Sequence, residues 1–241
     1  MELTISIVSH NNRSEIDLLI KDLEEKLVVS PGDSVNLILT TNTNEAEWCP
    51  RSKIFPIELT RNLRVKGFGE NHNSAFERSN SDLFFIVNPD VKFLSTVDTK
   101  TIFTSLTEEG IYSPVIFNQF GKKSDYFRGE ITIMDFLKRV LLRRNSPKNL
   151  WLTGAFLIVN RSLFRALGGF DQSFFMYGED CDLCLRARAL GASVRDTDVF
   201  SVEHVGRRLS SRNLNHLSWH LKSLAKIQIN RLVLRKYSNI Y

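Results

Sequence analysis

Three cysteines in 241 residues cannot make a fully paired disulfide framework, and 6 prolines with 12 glycines exclude collagen-like and low-complexity chains. No apolar run approaches the ~20 residues that cross a bilayer. Met1-Glu2-Leu3-Thr4 has neither the positive region nor the apolar stretch of a secretion signal, so a cytoplasmic location is expected. No G-x-x-x-x-G-K-[ST] motif occurs, which excludes a P-loop nucleotide hydrolase. Acid is missing from Leu214 to Tyr241, where Lys222, Lys226, Arg231, Arg235 and Lys236 carry a charge equal to the whole formal excess of +5. Such an end suits an anionic partner, although a solvated helix face explains the composition as well.

With 42% hydrophobic and 24% charged residues the chain is otherwise ordinary and globular. At this length folding buries roughly 70–75% of the unfolded surface, enough for one core. No internal repeat or inter-domain linker is visible. Apolar patterning predicts strands at Leu3–Val8, Val35–Leu39, Ile54–Leu59, Leu83–Val87 and Ile111–Phe117, with helices at Ser14–Leu27, Asn71–Ser79 and Thr99–Leu106. That alternation predicts an α/β fold, a mostly parallel central sheet with helices on both sides. Further on, the pattern predicts a basic amphipathic helix at Ile131–Arg144, a strand at Trp151–Val159 and a short helix at Phe164–Gly169. An aromatic loop, Phe170–Tyr177, precedes a helix at Glu179–Leu190, a strand at Ala192–Val199 and a long helix at Leu214–Tyr237. Cys181-Asp182-Leu183-Cys184 has redox or zinc spacing, but it falls on a helix without a second pair, so buried cysteines are expected.

In open α/β sheets ligands collect beyond the C-terminal ends of strands. Ser9-His10-Asn11 follows the first strand, and Asn88-Pro89-Asp90 follows the strand at 83–87. Asp90 there suits a hard cation shared with substrate phosphates, or else a turn residue satisfying backbone donors. Gly67-Phe68-Gly69 opens a helix whose free amides favour a phosphate. Glu179, Asp180 and Asp182 crowd the first turn of another helix. The helix dipole accounts for one or two of these acids. Adjacent carboxylates also raise one another's pKa, as a general base near neutral pH requires. His204 precedes Gly206-Arg207-Arg208, where an imidazole and cations suit a metal or a diphosphate, or a surface role.

Taken in order, several stretches gain specificity: Gly67-Phe68-Gly69-Glu70-Asn71-His72-Asn73, then Asn88-Pro89-Asp90-Val91, then Trp151-Leu152-Thr153-Gly154-Ala155-Phe156. Gly168-Gly169-Phe170-Asp171 follows, then Phe174-Phe175-Met176-Tyr177-Gly178-Glu179-Asp180-Cys181-Asp182-Leu183-Cys184-Leu185-Arg186, and last His204-Val205-Gly206. This succession closely resembles the family 2 glycosyltransferases of GT-A fold, in particular bacterial rhamnosyltransferases, over nearly the whole chain. The resemblance implies a Rossmann-like nucleotide-diphospho-sugar transferase unit over 1–213, with 1–117 binding the nucleotide sugar and 118–213 the acceptor, followed by a basic helix at 214–241. It implies inverting transfer of a sugar, first of all L-rhamnose from dTDP-L-rhamnose, in surface-polysaccharide synthesis. A UDP-hexose donor and a catalytically silent scaffold are the alternatives.

By the same resemblance Asp180 is the general base and Glu179 orients the acceptor or tunes the base. Asp90 and His204 hold Mg²⁺ or Mn²⁺. Ser9, His10, Asn11, Asn42, Gly67, Asn73, Asn88, Gly154, Ala155 and Arg207 join Asp90 around the donor. One departure stands out: the acid that family members place after the second strand is missing from Thr40-Thr41-Asn42-Thr43-Asn44. Asn42 is expected to meet the base edge instead, with altered nucleotide preference. The implied acceptor is a saccharide or a polyprenyl-diphosphate-linked saccharide, with 131–144 and 214–237 as peripheral contacts to the cytoplasmic face of the inner membrane. No recognition motif supports a nucleic-acid partner.

Overall fold

The chain's computed structural model describes residues 1–43, 45, 47–124, 126–129, 150–206 and 214–237, with side chains of the last helix described over 218–230. Strands β1 (Glu2–Ser9), β3 (Ser34–Thr41), β4 (Ile57–Arg61) and β5 (Leu83–Val87) pair in parallel, in the order β4-β3-β1-β5. Leu83-Phe84-Phe85-Ile86-Val87 is buried throughout, as a strand covered on both faces must be. Helix α1 (Arg13–Lys26) packs against β1 and β6 (Val91–Phe93) and buries Ile16, Leu19, Ile20 and Leu23, which recur at helical spacing. Helix α2 (Phe68–Phe76) starts three residues earlier than the apolar pattern predicts, directly after Gly67.

The sheet continues as β11 (Phe156–Asn160), β8 (Gly110–Phe117), β12 (Ser193–His204) and β6 (Val91–Phe93), so strands from 1–117 and from 118–213 share one sheet. β11 runs antiparallel to both β5 and β8, and β6 runs antiparallel to β12. The other four pairings are parallel, so the sheet is mostly parallel. The register of β12 on β8 shifts between Thr197 and Ser201. There Phe200 is buried against Phe93, stacked at 5.3 Å, and against Phe156 at 5.6 Å. This bulge lets one strand serve both the core and the site edge.

The single strand expected at Trp151–Val159 is two. β10 (Trp151–Leu152) pairs with β9 (Phe127–Arg128) in a separate ribbon, and β11 starts only at Phe156. The break falls at Thr153-Gly154-Ala155, because Gly154 N–H donates to Asp180 rather than to a neighbouring strand. Two further short strands, β2 (Leu27–Val28) and β7 (Val97–Asp98), pair with each other. Helix α3 (Thr99–Ser105) is capped by Asp98, and helix α4 (Arg161–Ala166) follows β11 directly. Helix α5 (Glu179–Ala189) carries the acidic cluster, and helix α6 (Leu214–Tyr237) spans the predicted residues and packs on α5. Cys181 and Cys184 are buried within α5 and not joined by a disulfide, and burial pushes the Cys184 thiol up to about 12, away from the thiolate that redox chemistry uses. The expected helix at 131–144 lies outside the described residues.

Candidate active site

The pairings fix which residues meet. Parallel β1, β3 and β5 bring Ser9, Thr41 and Val87 to one edge, and antiparallel β11 brings Phe156 opposite Val87. β8 is therefore co-directional with β5, so Phe117 and His204 end at the same edge, and Val91 pairs with His204. The segments 9–11, 88–90, 153–155 and 204–206 all converge there.

At the β1 end, Ser9 Oγ donates to Glu45 Oε2 at 2.7 Å. The Asn11 amide and the Thr43 hydroxyl donate to Oε1 at 3.2 and 3.0 Å, and Arg13 Nε lies 3.4 Å from Oε2. Glu45 is 1% exposed. A carboxylate therefore does sit behind the β3 end, one residue beyond the acid-free stretch 40–44, and it clamps the loop that carries Asn11 at φ 63. His10 is exposed at the lip. Asn42 is buried, with Oδ1 accepting from Lys66 N–H (2.8 Å) and Asn62 Nδ2 (2.9 Å) while Nδ2 donates to Lys66 O. It fixes the approach to Gly67.

The second cluster is Asp90 with His204, whose Nε2 lies 3.2 Å from Oδ1. Asn88 Nδ2 is 3.4 Å from the same nitrogen, and Asn88 N–H donates to Ala155 O. Burial alone would push Asp90 up. The hydrogen bond and charge of His204, with backbone amides of Asp90 and Gly206, bring its carboxyl net below the usual range. An ionised oxygen donor beside an imidazole fits a divalent cation that completes its shell with substrate phosphates. No group of three or more His, Cys, Asp or Glu side chains is gathered for a metal among the described residues. Arg207 lies outside the described residues.

The third cluster is Asp180. Gly154 N–H donates to Oδ2 at 2.9 Å and Cys181 N–H to Oδ1 at 2.8 Å, so both oxygens are oriented by backbone. A Cβ on Gly154 would stand 3.2 Å from the Phe68 ring, a tight contact, and 3.7 Å from Asp180 Oδ2, an ordinary one. Burial raises Asp180 above the usual carboxylate range against the pull of those two amides and of the Arg128 charge. Burial, then the Asp180 charge, raises Glu179 well above its ordinary value. Among the described residues nothing donates to Glu179 Oε2. Arg128, which lies over the Trp151 ring at 5.3 Å, gave no sign in the sequence, because only the β9–β10 pairing brings it near Asp180.

The aromatic loop 170–178 is held from two sides. Asn73 accepts from Phe170 N–H and donates to Phe170 O, both at 2.8 Å, and Gly169 at φ +70 would place a Cβ 2.4 Å from Asn73 Oδ1. Phe68 N–H donates to Phe175 O, so the first amide of α2 is committed to this loop rather than offered to a phosphate. A Cβ on Gly67 would lie 2.6 Å from Phe175 O. On the other side Tyr177, at φ 72, stacks on His220 of α6 at 3.7 Å and 9°, and Phe175 meets Trp219 at 5.0 Å. Lys226 pairs with Asp171 at 2.8 Å, and Asn230 donates to Asp182 at 2.8 Å.

No protein-family model matches the chain. It is 27% identical over 194 residues to the rhamnosyltransferase WbbL of Escherichia coli K12, covering 70% of this chain and 73% of WbbL. Over 74 residues it is 39% identical to the N-acetylglucosaminyl-diphospho-decaprenol L-rhamnosyltransferase of Mycobacterium tuberculosis, covering 30% of this chain and 24% of that one. In structure it is similar to the mannosyltransferase PcManGT of Pyrobaculum calidifontis, solved with GDP-Man and Mn²⁺, at a TM-score of 0.59 and 13% identity. That match covers 93% of this chain and 64% of the mannosyltransferase, so the chain spans less than two thirds of the last two proteins. The fold is that of GT-A glycosyltransferases, and the sequence is rhamnosyltransferase-like.

Proposed function

We propose that this chain is an inverting, divalent-cation-dependent glycosyltransferase that moves a sugar from a nucleotide diphosphate to a saccharide or polyprenyl-diphosphate-linked acceptor. L-Rhamnose from dTDP-L-rhamnose is the first donor to test, with UDP-hexoses second, and bacterial surface polysaccharide is the product class. The reaction belongs at the cytoplasmic face of the inner membrane. The names of the rhamnosyltransferases support the sugar, and the mycobacterial relative's name supports the acceptor class. The observation that carries the reading is Asp180, held by two backbone amides, one of them from Gly154 in the turn whose Ala155 carbonyl accepts from Asn88 beside the Asp90–His204 pair.

In this reading the loop 9–11, braced by Glu45, holds the nucleoside. Asp180 takes the proton from an acceptor hydroxyl as that oxygen attacks the anomeric carbon. A carbon–oxygen bond forms on one face while the bond to the diphosphate breaks on the other, so configuration inverts without a second carboxylate nucleophile. Asp90 and His204 would hold Mg²⁺ or Mn²⁺, which neutralises charge developing on the leaving diphosphate. Glu179, buried and holding its proton, keeps a second full charge away from the base.

The test is release of nucleoside diphosphate from a panel of dTDP-, UDP- and GDP-sugars with an acceptor mixture, read by mass spectrometry with and without Mg²⁺ or Mn²⁺. Cation-dependent release from one donor that Asp90→Ala abolishes is the expected result. Binding of no donor by the folded protein would overturn the reading in favour of a silent scaffold.

A further inference from the structure

The aromatic loop turns one phenylalanine in and shows the next. Phe174 is buried under Lys226, whose Nζ lies 4.4 Å from the ring centre, whereas Phe175 is 39% exposed. Trp219 of α6 leans on Phe175 at 5.0 Å and 47°, and His220 lies flat on Tyr177 at 3.7 Å and 9°. Tyr177, Trp219 and His220 are half-buried, so a cluster of four partly exposed rings lines the seam between the loop and the helix. One exposed ring needs no explanation, but a cluster marks a contact surface. Backbone strain goes into building it, because Tyr177 stands at φ 72, where a bulky side chain is rare. Strain of this kind persists at ligand clamps.

Two routes tie the cluster to Asp180. Along the chain, Tyr177 is three residues before it. Through space, Phe175 O accepts from Phe68 N–H, the Phe68 ring stands against Gly154, and Gly154 N–H holds Asp180. Ring chemistry then selects the occupant. An alkyl chain asks for aliphatic walls, whereas three of these four rings carry polar edges: the Tyr177 hydroxyl, the Trp219 indole N–H and the His220 ring nitrogens. A pyranose divides the same way, with C–H bonds on its face and hydroxyls at its rim. The polarised C–H bonds suit the negative face of an aromatic ring, and the rim hydroxyls suit the polar edges. We propose that Phe175 and Trp219, bordered by Tyr177 and His220, are the seat on which a sugar ring of the acceptor stacks. The inference deepens the transferase reading and rests on it for calling that sugar the acceptor.

The test is saturation-transfer NMR of the full chain, without nucleotide sugar, against the methyl glycosides of glucose, galactose, mannose, rhamnose and N-acetylglucosamine. Farnesyl phosphate serves as a lipid probe that carries no sugar. Saturation on the ring C–H protons of at least one glycoside is expected. Phe175→Leu and Trp219→Leu keep an apolar side chain but lose the aromatic face, so each should raise the glycoside Kd about fivefold or more. Phe175→Tyr keeps the face and should bind as the parent does. Melting temperatures and nucleoside-diphosphate affinities at parent values show that the variants fold. In turnover, the two leucine variants should raise the acceptor KM and leave the donor KM alone. Binding of no glycoside, leucine variants that bind like the parent, or displacement of the glycoside by nucleoside diphosphate would overturn the proposal. So would farnesyl phosphate binding where no glycoside does, because the occupant would then be lipid. Donor turnover without glycoside contact would remove this inference alone. Glycoside binding by a chain that turns over no donor would leave a sugar seat and remove the transferase reading.

Discussion

Asp180, the proposed base, and Glu179 are neighbours in sequence, and their surroundings separate them. Asp180 has two amides fixed on its oxygens, so its charged form is supported even as burial raises it. Glu179 has an oxygen to which no described residue donates, so its charged form is not. As a base Asp180 must be ionised, and a raised pKa moves the acid limb of kcat/KM above the ordinary aspartate range. Asp180→Asn is expected to lower kcat by about 10²–10⁴ with donor KM little changed. Steady-state rates across pH check both statements. For Glu179 the linkage sign is reversed from the usual carboxylate, because the folded state holds its proton more tightly than the unfolded chain. Stability is then lost as pH rises from the ordinary glutamate range towards the raised folded value. Glu179→Gln removes that loss. Its melting temperature should match the parent near pH 4 and exceed it at neutral pH, a difference that scanning calorimetry at the two pH values resolves.

At the scale of elements, the β1 and β3 ends are joined by one carboxylate. Glu45 takes the Ser9 hydroxyl, the Asn11 amide, the Thr43 hydroxyl and Arg13. Glu45→Ala strands the buried Ser9 hydroxyl and releases the part-buried donors of Asn11, Thr43 and Arg13, which costs about 1–3 kcal/mol and frees the loop 9–11. Urea denaturation should show the loss, and titration calorimetry a weaker affinity for nucleoside diphosphate. This clamp was hidden from a reading that looked for the acid within 40–44, because how the chain folds back after β3 is not written in local spacing. Other elements were legible for a physical reason. β5 is one unbroken apolar run, and α6 is long enough for its pattern to outweigh its ends. Strands of two or three residues such as β2, β6, β7 and β9 carry no usable period. Trp151–Val159 read as one strand because Gly154 looks like a weak strand residue until its amide is seen on Asp180. That the motifs after β1, β5 and β12 meet at one sheet edge was legible from their order, but Asn42 and the α2 amide hold the loops at 66 and 175.

Across the whole molecule, the turn that leads to Asp180, the proposed base, is held from both ends of the chain. The loop 170–178 passes left-handed backbone at Tyr177 and Gly178 into α5, a turn that local sequence does not enforce. What enforces it comes from α2 on one side and α6 on the other. A Cβ at Gly178 would lie 2.9 Å from Ile227 and 3.1 Å from Ser223, so α6 presses directly on the turn. Lys226 and Asn230 bind the acids at either end of this stretch, Asp171 and Asp182. The loop 9–11, proposed to hold the nucleoside, has no such dependence on α6, being braced by Glu45 and Thr43. Loosening α6 should therefore uncouple the two halves of the reaction. Lys226→Met with Asn230→Leu keeps the helix's bulk and removes both polar ties. Each tie involves a charged group and is worth roughly 1–3 kcal/mol. Their loss should speed amide hydrogen exchange over 171–178 and lower kcat by about tenfold or more, while nucleoside-diphosphate affinity stays at the parent value. Were affinity to fall in step with kcat, the base-bearing loop and the nucleoside loop would be one cooperative unit, and α6 would be a general stabiliser rather than a strap on the acceptor side.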